Sequence, residues 1–396
     1  MKREPMEIYI HIPFCVKKCQ YCDFLSFGID DEKLKEYKCC PNEKNLVPEV
    51  YIESLCREIR WYGQKEEYRH RPVISVFFGG GTPSLMSELQ LLKIMAALRE
   101  NFYIKRNAEI SMEANPGTLT LEKLQWAKRV GINRLSLGLQ SANGNELKIM
   151  GRIHSYDTFL QCYQWAREAG FKNINVDVIT ALPDQTEASY KNTLEKIIKL
   201  EPEHISAYSL IIEPGTPFEK LEEEGKLNLP DEEEERRMYE DTRMMLERAG
   251  YHRYEISNYS KPGYECRHNT GYWRRIDYLG LGLGASSLAD QRRFSNTDDL
   301  PTYIEGKYQE ESWYADYEVL EKKTAMEEFM FLGLRMTSGI REKDFEIFFG
   351  EKIMHVYGKV IHKYVMNGLL KRRNGRICLT NKGLDVANTV MSDFLL

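Results

Sequence analysis

The sequence predicts an α/β fold: a partial (β/α)6 barrel of parallel strands, followed by a smaller α+β domain of winged-helix character. Three observations predict it. Short β-rich runs alternate with longer helical stretches over the first two-thirds of the chain, as βαβ units do. Several of those helical stretches run into glycine, which suits a helix C-terminus. Beyond about residue 310 the alternation stops, and helices with one hairpin take over. A chain of 396 residues suggests roughly two or three domains and can bury a full core without staples.

The strands read in order. MEIYIHI (6–12) places Ile8, Ile10 and Ile12 on one side. VISVFF (73–78) and AEISMEA (108–114) follow, then NRLSLGL (133–139), NINVDVI (173–179) and ISAYSLI (205–211). Between them the helical patterns are 89–102, 120–131, 155–170 and 189–200. The acidic stretch 221–250 contains a helix from about Glu232, and its charges read as a solvated face. Residues 251–300, rich in Tyr, Asn and Gly, read as loops closing over one end of the barrel. After them come helices at 318–336, 341–348 and 351–367, a hairpin turned by Asn374-Gly375, and a helix at 381–395. The expected domains are 1–300 and 310–396.

Charge and composition exclude several functions. A net charge of −5 argues against a general nucleic-acid binder, even with KRRNGR (371–376) on the hairpin. No apolar stretch reaches the roughly 20 residues of a membrane span, and the start carries no signal-peptide pattern. The expected location is therefore the cytoplasm. Nine cysteines, an odd number in a reducing compartment, favour metal or cluster ligation over a disulfide framework.

The sharpest feature is CVKKCQYC, with Cys15, Cys19 and Cys22. Such a triplet arises by chance in about one chain in two hundred at this cysteine frequency. Three thiolates in eight residues need a soft metal partner. Zinc is one reading, and it would want a fourth ligand, for which Cys39 or Cys40 is available. A [4Fe–4S] cluster is the other. Three cysteines then hold three irons and leave one free for a small molecule.

CxxxCxxC directly after the first strand, with aromatics near its end (Tyr21, Phe24), resembles the radical SAM superfamily. GGGTPSL (79–85) follows the second strand as that family's glycine motif does. Glycines there let backbone N–H groups approach a ligand. Glu113, Gln140 and Asp177 all fall at the ends of strands or within them, on the rim where a parallel barrel binds ligands. The resemblance implies S-adenosylmethionine on the open iron. It assigns the cofactor to Tyr9, Phe24, Gly80, Gly81, Thr82, Glu113, Gln140, Arg152 and Asp177.

Nearly the whole chain resembles the HemN/HemW group of that superfamily, through YIHIPFC, FGGGTPS, SLGLQS, LPDQT, AYSLIIEPGTPF and YEISNYSKPGYECRHNTGYW. The group contains coproporphyrinogen III oxidases and heme chaperones. Three features favour a chaperone that binds heme and passes it to an acceptor protein. Phe24 stands where the oxidase pattern CxxxCxxCxC has its fourth cysteine. Only 14 residues precede Cys15, so the oxidase's N-terminal arm is expected to be missing. RHNTGYW (267–273) resembles the chaperone's HNxxYW motif. It makes His268 the candidate heme ligand, with Cys266 second, and offers Tyr272 and Trp273 to the macrocycle. Two departures stand beside these. The segment 28–48 is longer than usual, and Ser286 stands where relatives often place histidine. Arg274, Arg275, Arg292 and Arg293 are either propionate partners or a solvated face. GLGLGA (280–285) lacks the full dinucleotide pattern and reads as close strand packing.

Overall fold

The computed structural model describes residues 4–28, 46–308 and 313–396. Its centre is a run of six parallel strands: β1 (Met6–Ile12), β2 (Pro72–Gly80), β3 (Tyr103–Ala114), β4 (Arg134–Gln140), β5 (Ile174–Thr180) and β6 (His204–Ser209). They pair in sequence order, as right-handed βα crossovers demand. The expected half-barrel is what forms, and the sheet remains open.

Alternation along each strand gives the barrel two chemically different faces. Ile8, Ile10 and Ile12 of β1 and Leu135, Leu137 and Leu139 of β4 are fully buried in the main core. The opposite positions (Glu7, Tyr9, His11; Arg134, Ser136, Gly138) point into the barrel and are mostly polar. The core helices are Glu49–Gly63 (α1), Glu88–Asn101 (α2), Leu121–Arg129 (α3), Tyr156–Glu168 (α4) and Glu187–Ile198 (α5), followed by Glu232–Arg248 (α6). Ser87, Thr120, Ser155, Thr186 and Asp231 cap five of them, satisfying first-turn N–H groups. Gly131, Gly170 and Gly250 end three in the left-handed region, as the sequence suggested.

Residues 251–300 correct the reading of that stretch as loops. They form β7 (Asn258–Ser260), the helix α7 (Arg267–Trp273), β8 (Tyr278–Leu281), β9 (Ser286–Ala289) and β10 (Arg292–Asn296). β8 lies parallel to β1, on the side away from β2, and β9 and β10 extend the sheet antiparallel. Gly280 does mark close packing: a Cβ there would collide with the Ser286 carbonyl. β11 (Tyr314–Val319) joins β10, although the sequence reading gave this segment to the second domain. The main sheet therefore runs to residue 319.

A second hydrophobic core, from Met326 to Phe394, defines the C-terminal domain. It holds the helices α8 (Lys322–Arg335), α9 (Glu342–Phe349) and α10 (Ile353–Met366), and the hairpin Leu370–Arg373/Arg376–Leu379. Asn374 and Gly375 both have positive φ at its turn, as a type I′ turn requires. The expected helix 381–395 is divided into Asn381–Asp385 and Ala387–Ser392. Val386 leaves the helical region between them (φ −124°).

Candidate cofactor site at the barrel mouth

The cysteine loop leaves β1 and crosses the C-terminal rim of the barrel. Phe14–Cys15 pairs in parallel with Phe27–Gly28, which closes the loop at its base. Gln20 donates its backbone N–H to the Met150 carbonyl (3.1 Å), which ties its middle to the rim. Cys15, Cys19 and Cys22 are free thiols, each partly exposed, and all three line a cavity of about 360 Å³. Burial pushes the thiols of Cys15 and Cys22 up, Cys22 to about 11. A positive partner is therefore needed to hold them as thiolates.

The glycine loop faces them. Gly80 has φ +109°, and a Cβ there would come within 2.5 Å of the His11 ring. A Cβ on Gly81 would lie 2.8 Å from both backbone N and O of Phe14. No side chain fits at either position, so the backbone itself forms the cavity wall.

One hydrogen-bonded chain spans the mouth. Thr82 Oγ1 donates to Cys15 Sγ (3.5 Å) and accepts from Asn115 Nδ2 (2.9 Å). Asn115 Oδ1 accepts from Arg152 Nη2 (2.7 Å), and Arg152 Nη1 donates to Cys19 Sγ (3.5 Å). Arg152 also donates to the Gly138 carbonyl (2.9 Å). Two donors thus reach two of the three sulfurs, and Asn115 joins them. Asn115 was not singled out in the sequence, because nothing local marks an asparagine that bridges residues 33 and 37 positions away.

Two carboxyl groups complete the wall. Glu113 accepts from the Gly80 N–H (3.2 Å). Burial, reinforced by the nearby charge of Asp177, pushes it up to about 8. Asp177 is also raised by burial, but Ser136 (2.9 Å) and Asn175 (2.7 Å) donate to it and oppose the shift. Gln140 sits at φ +68°, beside the register shift between β4 and β5. That left-handed backbone in a non-glycine residue is the kind of strain found at ligand sites. Tyr208 lines the same wall and was likewise missed from sequence.

The structure brings Phe24, Gly80, Gly81, Thr82, Glu113, Gln140, Arg152 and Asp177 together around this cavity. Tyr9 and His268 instead line a second, inner chamber of about 490 Å³. The two spaces share Phe24, Gly80, Glu113, Ser136, Asp177 and Tyr208, so they adjoin. Phe24 is 59% exposed, and its carbonyl accepts from Lys18 (3.0 Å).

The helix α7 carries HNTGYW and closes the far end of the inner chamber. Its Gly271 rests against the Glu7 carboxyl with no room for a side chain. His268 is 1% exposed. Ser75 hydroxyl bonds its Nδ1 (2.9 Å), Tyr272 hydroxyl bonds its Nε2 (2.9 Å), and Phe77 stacks on the ring. Burial holds the imidazole down at about 3, hence neutral. Cys266 is fully buried against Glu109. Three of the four arginines near this region are engaged within the protein: Arg275 and Arg293 with Glu328, and Arg292 with Glu67.

No group of three or more His, Cys, Asp or Glu among the described residues converges on one metal ion. Cys39 and Cys40, considered as further zinc ligands, lie outside the described residues.

Residues 9–197 match the Radical SAM superfamily, and residues 320–386 match the HemN C-terminal domain. The chain is 36% identical to the Heme chaperone HemW of Lactococcus lactis, covering 100% of this chain and 99% of that one. It is 35% identical to the Heme chaperone HemW of Bacillus subtilis, covering 98% of both. Among solved structures, Escherichia coli coproporphyrinogen III oxidase (HemN) superposes with a TM-score of 0.83 at 23% identity. The match covers 100% of this chain and 91% of HemN.

Proposed function

Since the chain belongs to the HemW family of the radical SAM superfamily, we propose that it is a heme chaperone, binding heme and transferring it to an acceptor protein. The observation that carries this is similarity to heme chaperones along essentially the whole of both chains. The likeness to the oxidase HemN, at 23% identity, establishes the shared fold.

The family carries a [4Fe–4S] cluster and S-adenosylmethionine, and the mouth fits both. Three free thiols lining one cavity are the donor set that a cluster with one open iron takes. Cys15, Cys19 and Cys22 would hold it, with Thr82 and Arg152 donating to their sulfurs. Gly80, Gly81, Glu113, Gln140 and Asp177 would hold S-adenosylmethionine. When bound, the cluster supplies one-electron reducing power to that cofactor. Around it the protein excludes side chains at Gly80–Gly81, fixes Arg152 through Asn115 and Gly138, and keeps a proton on Glu113 up to about pH 8.

Heme would occupy the inner chamber, between the aromatic rings of Tyr9, Phe77, Tyr272 and Tyr278. His268 is neutral there, the form that ligates metal. Its Nε2 would exchange the Tyr272 hydroxyl for iron, while Ser75 keeps hold of Nδ1. The acceptor would be a protein that takes up heme; among the described residues no helix is long and apolar enough to cross a membrane. Titration with heme tests the reading. A saturable Soret change is expected, weakened in His268→Ala with the cluster's iron content unchanged. Equal heme affinity in both proteins would reject His268, and no Soret change in the native protein would reject the chaperone.

A further inference from the structure

The inner chamber contains a cation for which the described residues supply no close partner. Arg134 opens β4 beside Ser111 of β3, and its side chain lines the chamber. It is 2% exposed. Its Nε is buried without a hydrogen-bond partner, and among the described residues its guanidinium makes no ion pair. A guanidinium carries five donors in a fixed fork, and leaving even one unused out of water is costly.

The acids around it are committed elsewhere. Glu109 accepts from the backbone N–H groups of Arg267 (3.1 Å) and His268 (3.5 Å), and from Cys266 Sγ (3.5 Å) and Ser111 (3.4 Å). Asp177 is taken by Ser136 and Asn175. Glu113 is pushed up by burial to about 8, so it keeps its proton at neutral pH. The charges of Glu109 and Asp177 favour a protonated Arg134 from a distance, but neither closes on it. What remains is a positive fork facing a chamber with aromatic walls.

We propose that the inner chamber binds a ligand carboxylate, with Arg134 as its counter-ion. A planar fork matches a carboxylate with two parallel hydrogen bonds. This deepens the heme reading and rests on it for the ligand's identity: the carboxylate is then a heme propionate, and Arg134 fixes the orientation of the macrocycle relative to His268.

The test compares heme with its dimethyl ester, in which both propionates are uncharged. The full-length protein is titrated with each, and the pair is repeated on Arg134→Gln and Arg134→Lys. Native protein should bind the ester roughly tenfold or more weakly than heme, the usual scale of a charge-assisted pair. Arg134→Gln should lose a similar factor for heme and no longer distinguish the two, with Arg134→Lys between. Equal binding of heme and ester by native protein would overturn the proposal, as would full discrimination in Arg134→Gln. The native comparison decides alone if the variants fail to fold. Failure of native protein to bind either compound would remove the heme reading and this inference with it.

Discussion

At the scale of single residues, the mouth depends on groups that touch sulfur without being cysteine. Arg152 reaches Cys19 and is aimed by Asn115 and the Gly138 carbonyl. A positive donor beside a cluster favours its reduced, more negative state. Arg152→Gln should therefore lower the cluster's midpoint potential, and Asn115→Ala should do so to a smaller extent. EPR-monitored redox titration of the reconstituted proteins measures this; unchanged potentials in both would leave Arg152 with no electrostatic role. Glu113 gives a second prediction. Its carboxyl ionises near 4.5 when unfolded but at about 8 when folded. Between those values the folded chain keeps a proton that the unfolded chain has lost. Its contribution is thus intact below about pH 4.5 and declines as pH rises through 8. Glu113→Gln should flatten that decline in denaturant midpoints measured against pH; parallel curves would contradict it. The cysteines and glycines of this site were legible in the sequence because their spacing is local. Asn115, Tyr208 and Arg134 were not, since their meaning lies in partners, or a lack of partners, across the barrel. His268 stood out as a motif, yet only the fold shows both ring nitrogens engaged.

At the scale of elements, the glycine loop sets how closely β2 can approach the start of the cysteine loop. Gly81→Ala would drive a methyl into the Phe14 backbone, and backbone cannot step aside as a flexible side chain can. The expected cost is about 1–3 kcal/mol of stability, read by thermal unfolding, with lower iron retention after reconstitution. A variant of native stability and full iron content would show that the loop yields. The six parallel strands were legible because each is a β-rich run flanked by a helix. β7 to β10 were not. They are three to five residues long, too short to display alternation. β8 pairs with β1 from the far side of the sequence, a contact that no local pattern reports.

For the whole molecule, the barrel and C-terminal domain are joined through the helix that closes the chamber. Glu328 of α8 is buried and receives Arg275 (2.9 Å) and Arg293 (2.6 Å) from the barrel side. Arg335 of α8 lies 4.3 Å above the Trp273 ring of α7. Removing one member of a buried ion pair strands the others, at about 3–5 kcal/mol. Glu328→Gln should therefore split calorimetric unfolding into two transitions, the C-terminal domain melting separately; one undisturbed transition would show that the apolar contacts suffice. The sequence revealed the change of character near residue 310. We place the domain boundary near 320, since β11 belongs to the main sheet.

The central claim is that Cys15, Cys19 and Cys22 would hold a [4Fe–4S] cluster and leave one iron free of protein sulfur. EPR of the reduced, anaerobically reconstituted protein, recorded with and without S-adenosylmethionine, tests it most directly. The account predicts four irons per chain and a changed spectrum when the small molecule occupies the open iron. Superimposable spectra, or a sample that takes up zinc without iron and sulfide, would contradict it.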